Sequence, residues 1–263
     1  MTGCVSWRGG HETRRQSSTV SFLYPKAKDM TVSPGIPHLT LPLDVGIAFV
    51  PESGKWNPTS EEQKAVLLKS VAERFANQPF IRKITIIPTA YLRPDGGFAN
   101  LDQIQSMMGV DVIALVAYDQ IQHTDEGLLS LAYWTIVGAY VVNSEKNDTS
   151  TMMDTAVFHI PSRKMLFRAP GTSQIKARST YVNWSEQMRK NAREGLTRAN
   201  EEMIQNLELE LNRFKIRVKE KPEEVRITRS PGYTGGGSHA GWFGLLLILL
   251  ISAAWRPARG LRE

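Results

Sequence analysis

Among the side chains able to do chemistry, Asp119, His123 and Asp125 stand closest together, in the run AYDQIQHTD from Ala117 to Asp125. Two carboxylates and an imidazole have the makeup of a metal or general-base site, because imidazole changes charge near neutral pH and a carboxylate can orient it. They follow an apolar run that reads as a strand, and the ends of strands are where α/β sheets place ligands. The same residue types also populate exposed loops, so both readings stand. No nucleotide-binding glycine loop, G-x-S-x-G elbow or H-E-x-x-H pair occurs. The expectation is a protein without catalytic residues, cofactor or metal. His159, in Phe158-His159-Ile160, falls on an alternating apolar pattern and reads as a sheet-face histidine. Trp56, Tyr91, Trp134, Tyr140 and Trp184 would suit either a carbohydrate or peptide groove or ordinary core and surface positions. Lys215, Arg217, Lys219 and Lys221 alternate with Phe214, Ile216 and Val218. That pattern reads as an edge strand guarded by lysines, or as a strip that touches anionic lipid.

The chain has one cysteine, Cys4. Disulfide pairing and a cysteine-based zinc cluster within the chain are thereby excluded. Thr2 and Gly3 precede it, and small residues before a cysteine form the end of a bacterial lipoprotein signal, where the thiol receives diacylglycerol and the chain is cut before it. The basic and apolar regions of such a signal do not fit between Met1 and Cys4, so this reading places a signal segment upstream of Met1. The alternative is a free thiol in a loose terminus. Val5, in place of an aspartate, favours the outer membrane over retention in the inner one.

The other end is the most apolar part of the chain. Ala240 to Trp255 (AGWFGLLLILLISAAW) carries no charge and no proline. Sixteen helical residues span roughly 24 Å, and the flanking residues extend this toward a bilayer core of about 30 Å. Gly235, Gly236, Gly237 and Ser238 precede the segment, and Arg256, Arg259 and Arg262 follow it. Basic flanks stay cytoplasmic, which puts the tail inside and the main domain outside. A helix apolar on every face and bounded in this way reads as a membrane span rather than a core helix.

Together these ends resemble the rhombotail lipoproteins of Gram-negative bacteria. The resemblance rests on Cys4 with Thr2 and Gly3, and on Gly235 through Arg262. It implies acylation of Cys4 by the export and lipoprotein-acylation machinery. It also implies cutting near Gly235, Gly236, Gly237 and Ser238 by rhombosortase, a rhomboid-type intramembrane protease that reads a GlyGly-type sorting signal. Glycines suit that step, since each lowers the cost of unwinding a helix by about 1 kcal/mol. The mature protein would be held by membrane lipid, at the outer membrane or cell surface, with an unidentified envelope protein as partner. A plain tail anchor with a glycine hinge is the alternative for the C-terminus.

The 263 residues are 41% apolar and 22% charged, with a formal charge of +6. Those values describe an ordinary globular chain, and so small an excess of charge without an aromatic-basic motif argues against nucleic acid. Residues 5–43 are rich in Ser, Thr, Pro and Gly and read as a flexible tether. An α/β domain is expected over 44–220, and a Gly-rich linker over 221–238. A strand over Val45–Val50 comes first. Thr59–Gln78 reads as a helix, capped by Thr59 with Glu62 or by Ser60 with Gln63, with Ala65, Leu68, Ala72 and Phe75 as its stripe. A strand at Ile81–Pro88 follows, then a short helix capped by Asn100 and ended by Gly109. Val110–Tyr118 reads as a buried central strand. Strands at Leu128–Val142, Met152–Ile160 and Lys164–Ala169 then suggest an antiparallel meander. A long helix opens at Ser185 and is expected to give way to a strand at Phe214–Val218. The fold class is therefore α/β, one mixed sheet in the order β-α-β-α-β-β-β with a long C-terminal helix and a transmembrane sorting helix. That order looks like the small domains of penicillin-binding-protein activators and of the amino-terminal part of the Tol–Pal translocation protein. Two other functions remain open: an envelope enzyme using the Asp119–His123–Asp125 loop, and a permanently double-anchored protein coupling the membrane to another complex.

Overall fold

The computed structural model describes residues 12–26, 35–52, 59–123, 148–176 and 184–233. In chain order these form β1 (Glu12–Gln16), α1 (Thr19–Leu23), β2 (His38–Leu41), β3 (Leu43–Phe49), α2 (Glu61–Phe75) and β4 (Ile81–Ile86). Then come α3 (Gly97–Met108), β5 (Val112–His123), β6 (Asp148–His159), β7 (Lys164–Lys176), α4 (Trp184–Glu220) and β8 (Arg226–Arg229). The main sheet is mixed, in the order β4-β3-β5-β6-β7. β3 pairs parallel with β4 and β5, while β5, β6 and β7 form an antiparallel meander. The expected strand at Leu128–Val142 lies outside the described residues.

β5 is apolar on both sides because both sides are covered. Val112, Ala114, Val116 and Tyr118 face α2 and α4. Ile113, Leu115 and Ala117 face α1 and α3. α2 starts at the second of the two caps considered, with Ser60 Oγ accepting from Gln63 N at 3.2 Å. Its buried stripe is Leu67, Leu68, Val71 and Phe75. Ala65 is exposed and Ala72 half-buried. The helix is rotated from the expected stripe because it turns its larger apolar side chains to the sheet. α3 begins three residues before Asn100, and Asn100 caps nothing. Its buried amide accepts from Arg93 N (2.8 Å) and donates to Tyr91 O (3.1 Å), tying down the preceding turn. Gly109 closes α3 in the left-handed conformation, φ 67°, as its position predicts.

Three expectations are corrected. The segment 5–43 is not simply a tether. β1 pairs antiparallel with the second half of β5, and α1 buries Phe22 and Leu23, each 3% exposed. Burying such side chains contributes about 1.5–3 kcal/mol each, enough to hold a short helix that Ser18 caps. The segment 221–238 is not wholly linker, since β8 pairs parallel with β2 to form a separate two-stranded ribbon. Finally, Phe214–Val218 is helical. Leu207, Leu211, Phe214 and Val218 continue the three-and-four spacing of α4, and that period prevails over the alternation read as a strand.

Candidate functional site

Of the residues singled out for chemistry, the structure brings few together. Cys4, Gly235, Gly236, Gly237, Ser238, Arg256, Arg259, Arg262 and Asp125 lie outside the described residues. So do Trp56, Trp134 and Tyr140. Tyr91 is exposed on its turn. His123 ends β5, its backbone opposite Glu12 of β1. Asp119 is neither at a strand end nor in a loop. It lies well inside the long β5, between β1 and β6, and is 1% exposed. Arg14 of β1 holds it in a two-pronged fork, Nη2 to Oδ2 at 2.6 Å and Nε to Oδ1 at 3.1 Å. A carboxylate engaged this way is a structural partner for a cation, and β1 supplies that cation.

The same face of the sheet carries a second such pair, Arg168 Nε with Asp154 Oδ1 at 2.6 Å. Burial raises the Asp154 pKa, and the Arg168 guanidinium opposes that shift. Asp119, Asp154 and Arg168 border a cavity of about 440 Å3, which Ser17, Thr19 and Tyr24 also line. On the opposite face, Tyr118 meets the Thr59 hydroxyl at 2.7 Å. Burial, and then the Glu52 charge, pushes the Tyr118 phenol well above its usual range. Lys64 is buried here between Glu52 (2.8 Å) and Glu61 (3.0 Å). Among the described residues no three His, Cys, Asp or Glu side chains converge as metal ligands would.

The site that the sequence did not announce is a cleft at the other end of the α2/α4 face. α2 and α4 are bridged by Asn200 Nδ2 to Ser70 Oγ (2.8 Å), and farther along by the fork of Arg74 on Glu208 (2.7 and 2.9 Å). Beyond the fork lies a cavity of about 280 Å3. Ala72 and Phe75 of α2, Leu211 and Phe214 of α4, and Val45 and Ile84 of the sheet form its walls. The β2–β8 ribbon closes one side with Leu39, Leu41 and Ile227. Every lining residue is apolar except Lys215 and Lys219, both on α4. The Lys215 ammonium lies 4.7 Å over the Phe80 ring and 3.4 Å from Gln78 Oε1. Desolvation, and then Lys219, lowers its pKa. Apart from the two lysine ammoniums, such walls are hydrocarbon. They exclude water and accept hydrocarbon.

Much of this cleft comes from segments read as tether, edge strand and linker. Two signals pointed to it. HLTL and RITR alternate as short strands do, and Phe214 and Val218 extend the α4 stripe past Leu211.

No protein-family model and no curated protein matches the chain. Several solved structures resemble it at low identity. Protein XCC0632 from Xanthomonas campestris, under family model DUF330, is 10% identical over 71% of this chain and 94% of that one, with TM-score 0.35. The PelC dodecamer from Paraburkholderia phytofirmans is 11% identical over 72% and 95%, TM-score 0.30. Lipoprotein GNA1162 from Neisseria meningitidis is 9% identical over 61% and 97%, TM-score 0.25. At these scores the likenesses carry no argument about ligand, anchoring or assembly.

Proposed function

We infer that this chain is a cell-envelope lipoprotein, acylated at Cys4 and trimmed by a rhombosortase-type protease within Gly235–Ser238. Its α/β domain works as a non-enzymatic binding module. The observation that carries the binding reading is the cleft between α2, α4 and the β2–β8 ribbon, which has the form of a ligand site and is apolar but for Lys215 and Lys219. The anchoring reading is supported by the residues around Cys4 and by the glycine–apolar–arginine order of the last thirty positions. The tying of Asp119 to Arg14 weighs against a hydrolytic role for the Asp119–His123 segment.

Mass spectrometry of the protein recovered from its own cells tests the anchoring directly. The expected species begins at Cys4 with a thioether-linked diacylglycerol and ends near Gly236. An intact Arg262–Glu263 terminus in cells that make the protease overturns the trimming. An unmodified Cys4 overturns the acylation.

A further inference from the structure

We propose that the α2/α4 cleft holds a single acyl chain of an anionic amphiphile, with its acidic end at Lys215 and Lys219. The proposal deepens the binding-module reading above and rests on it. The shape of the site comes first: about 280 Å3 of space lies between two helices, the sheet and the β2–β8 ribbon, a slot that a slender hydrocarbon chain fits.

The walls select its chemistry. Apart from the two lysines every lining residue is apolar, so a polar ligand would leave its hydrogen-bonding groups unpaired. The charge selects its end. No acidic side chain partners Lys215 or Lys219 among the described residues. Asp44 and Glu208, each next in sequence to a lining residue, are engaged by Arg82 (3.3 Å) and Arg74 (2.7 Å). Lys215 is partly desolvated over Phe80, where an anion would compensate an ammonium better than water does.

The experiment uses the full chain in phosphatidylcholine nanodiscs, photolabelled with palmitate bearing a diazirine near its methyl end and mapped by mass spectrometry. Adducts should fall on α2 and on the Leu207–Val218 stretch of α4, and unlabelled palmitate should compete. Ala72→Phe fills the cleft from α2, and Val218→Trp narrows it from α4. Each methylene excluded costs about fourfold in affinity, so blocking two should cut labelling by about fifteenfold. Val218→Trp decides if Ala72→Phe lowers the unfolding midpoint. The double variant Lys215→Glu, Lys219→Glu and the methyl ester of the probe should each label several-fold less.

Labelling of the cleft that neither plug reduces would overturn the site. Equal labelling by acid and ester would overturn the assignment of the lysines. Crosslinks placing residues 240–255 or a second copy of the chain in the cleft would overturn the lipid occupant. Loss of labelling with Cys4 still acylated leaves the anchoring reading intact, whereas bound palmitate with an unmodified Cys4 removes only that reading.

Discussion

The two halves of α4 meet the same face of the same sheet in opposite ways. Along the first half the sheet presents polar side chains, and the helix lies close to it. Gln120 Nε2 donates to Ala192 O (2.9 Å) and Thr151 Oγ1 (2.8 Å), and Gln122 Nε2 donates to Met188 O (2.8 Å). Small residues permit the approach: a Cβ on Gly195 would stand 2.6 Å from Thr151 Oγ1, and one on Gly171 2.2 Å from Ala199 O. Along the second half, bulky Leu211 and Phe214 face the ends of β3 and β5, and a cavity remains. Protein interiors are packed to the density of organic crystals and keep few voids wider than a water. Small side chains and fixed hydrogen bonds thus lock one end of the face. At the other end large apolar groups hold the helix off and leave room for something else.

The contrast is broken most directly at Gly171. A side chain there meets Ala199 O and Met203 N, both backbone atoms, so only movement of α4 relieves the clash. Gly171→Ala should cost about 3 kcal/mol, the upper end for overpacking. That lowers the thermal midpoint by about 10 °C for a domain of this size, as calorimetry would read. An unchanged midpoint would mean that α4 is not fixed where the locked half places it. A matched pair then sharpens the comparison. Ala199, fully buried in the locked half, should tolerate Val poorly, losing about 1–3 kcal/mol in urea unfolding. Ala114 lines the cleft, so Ala114→Val should gain up to about 1 kcal/mol by filling space. Equal losses at the two sites would show that the cleft end is as tightly packed as the other.

The locked half and the cleft were not equally legible in the sequence. The β3–α2–β4 and α3–β5 units, the β6–β7 hairpin and the start of α4 carry periods of two or about four over long stretches, and those periods hold in the structure. The cleft depends on pieces too short to announce themselves. Leu39 and Leu41 lie in a four-residue strand, and its partner β8 lies almost two hundred positions away. No local pattern encodes a pairing at that distance. Asp119 misled for a related reason. The sequence shows a carboxylate near a histidine, but not that Arg14 will arrive from a terminal strand to neutralise it. For Cys4, the glycine run and the arginines, the reading still stands on sequence alone.

Acidity and alkalinity should separate the two ends, with the smallest effects of the series. His159 lies at the cleft end, on β6 opposite Val112 and bonded through Nδ1 to Ser162 Oγ at 2.8 Å. Burial lowers its pKa, and the Asp111 carboxylate works against that. The folded state therefore prefers the neutral ring. Its contribution is complete above the unfolded pKa of about 6.5 and is lost as the pH falls below that value. Tyr118, beside the locked end, is shifted upward by burial and by Glu52. Its contribution is complete below the ordinary tyrosine pKa of about 10 and is lost as the pH rises beyond it. Hydrogen exchange at mildly acidic pH should accordingly quicken first at the β2–β8 ribbon and the end of β6, while the Gln120–Gln122 region stays protected. His159→Gln should flatten that acid response and leave the alkaline one unchanged. An acid response that survives the substitution would mean that His159 is not its origin, and exchange that quickens at both ends together would mean that α4 responds as one rigid body.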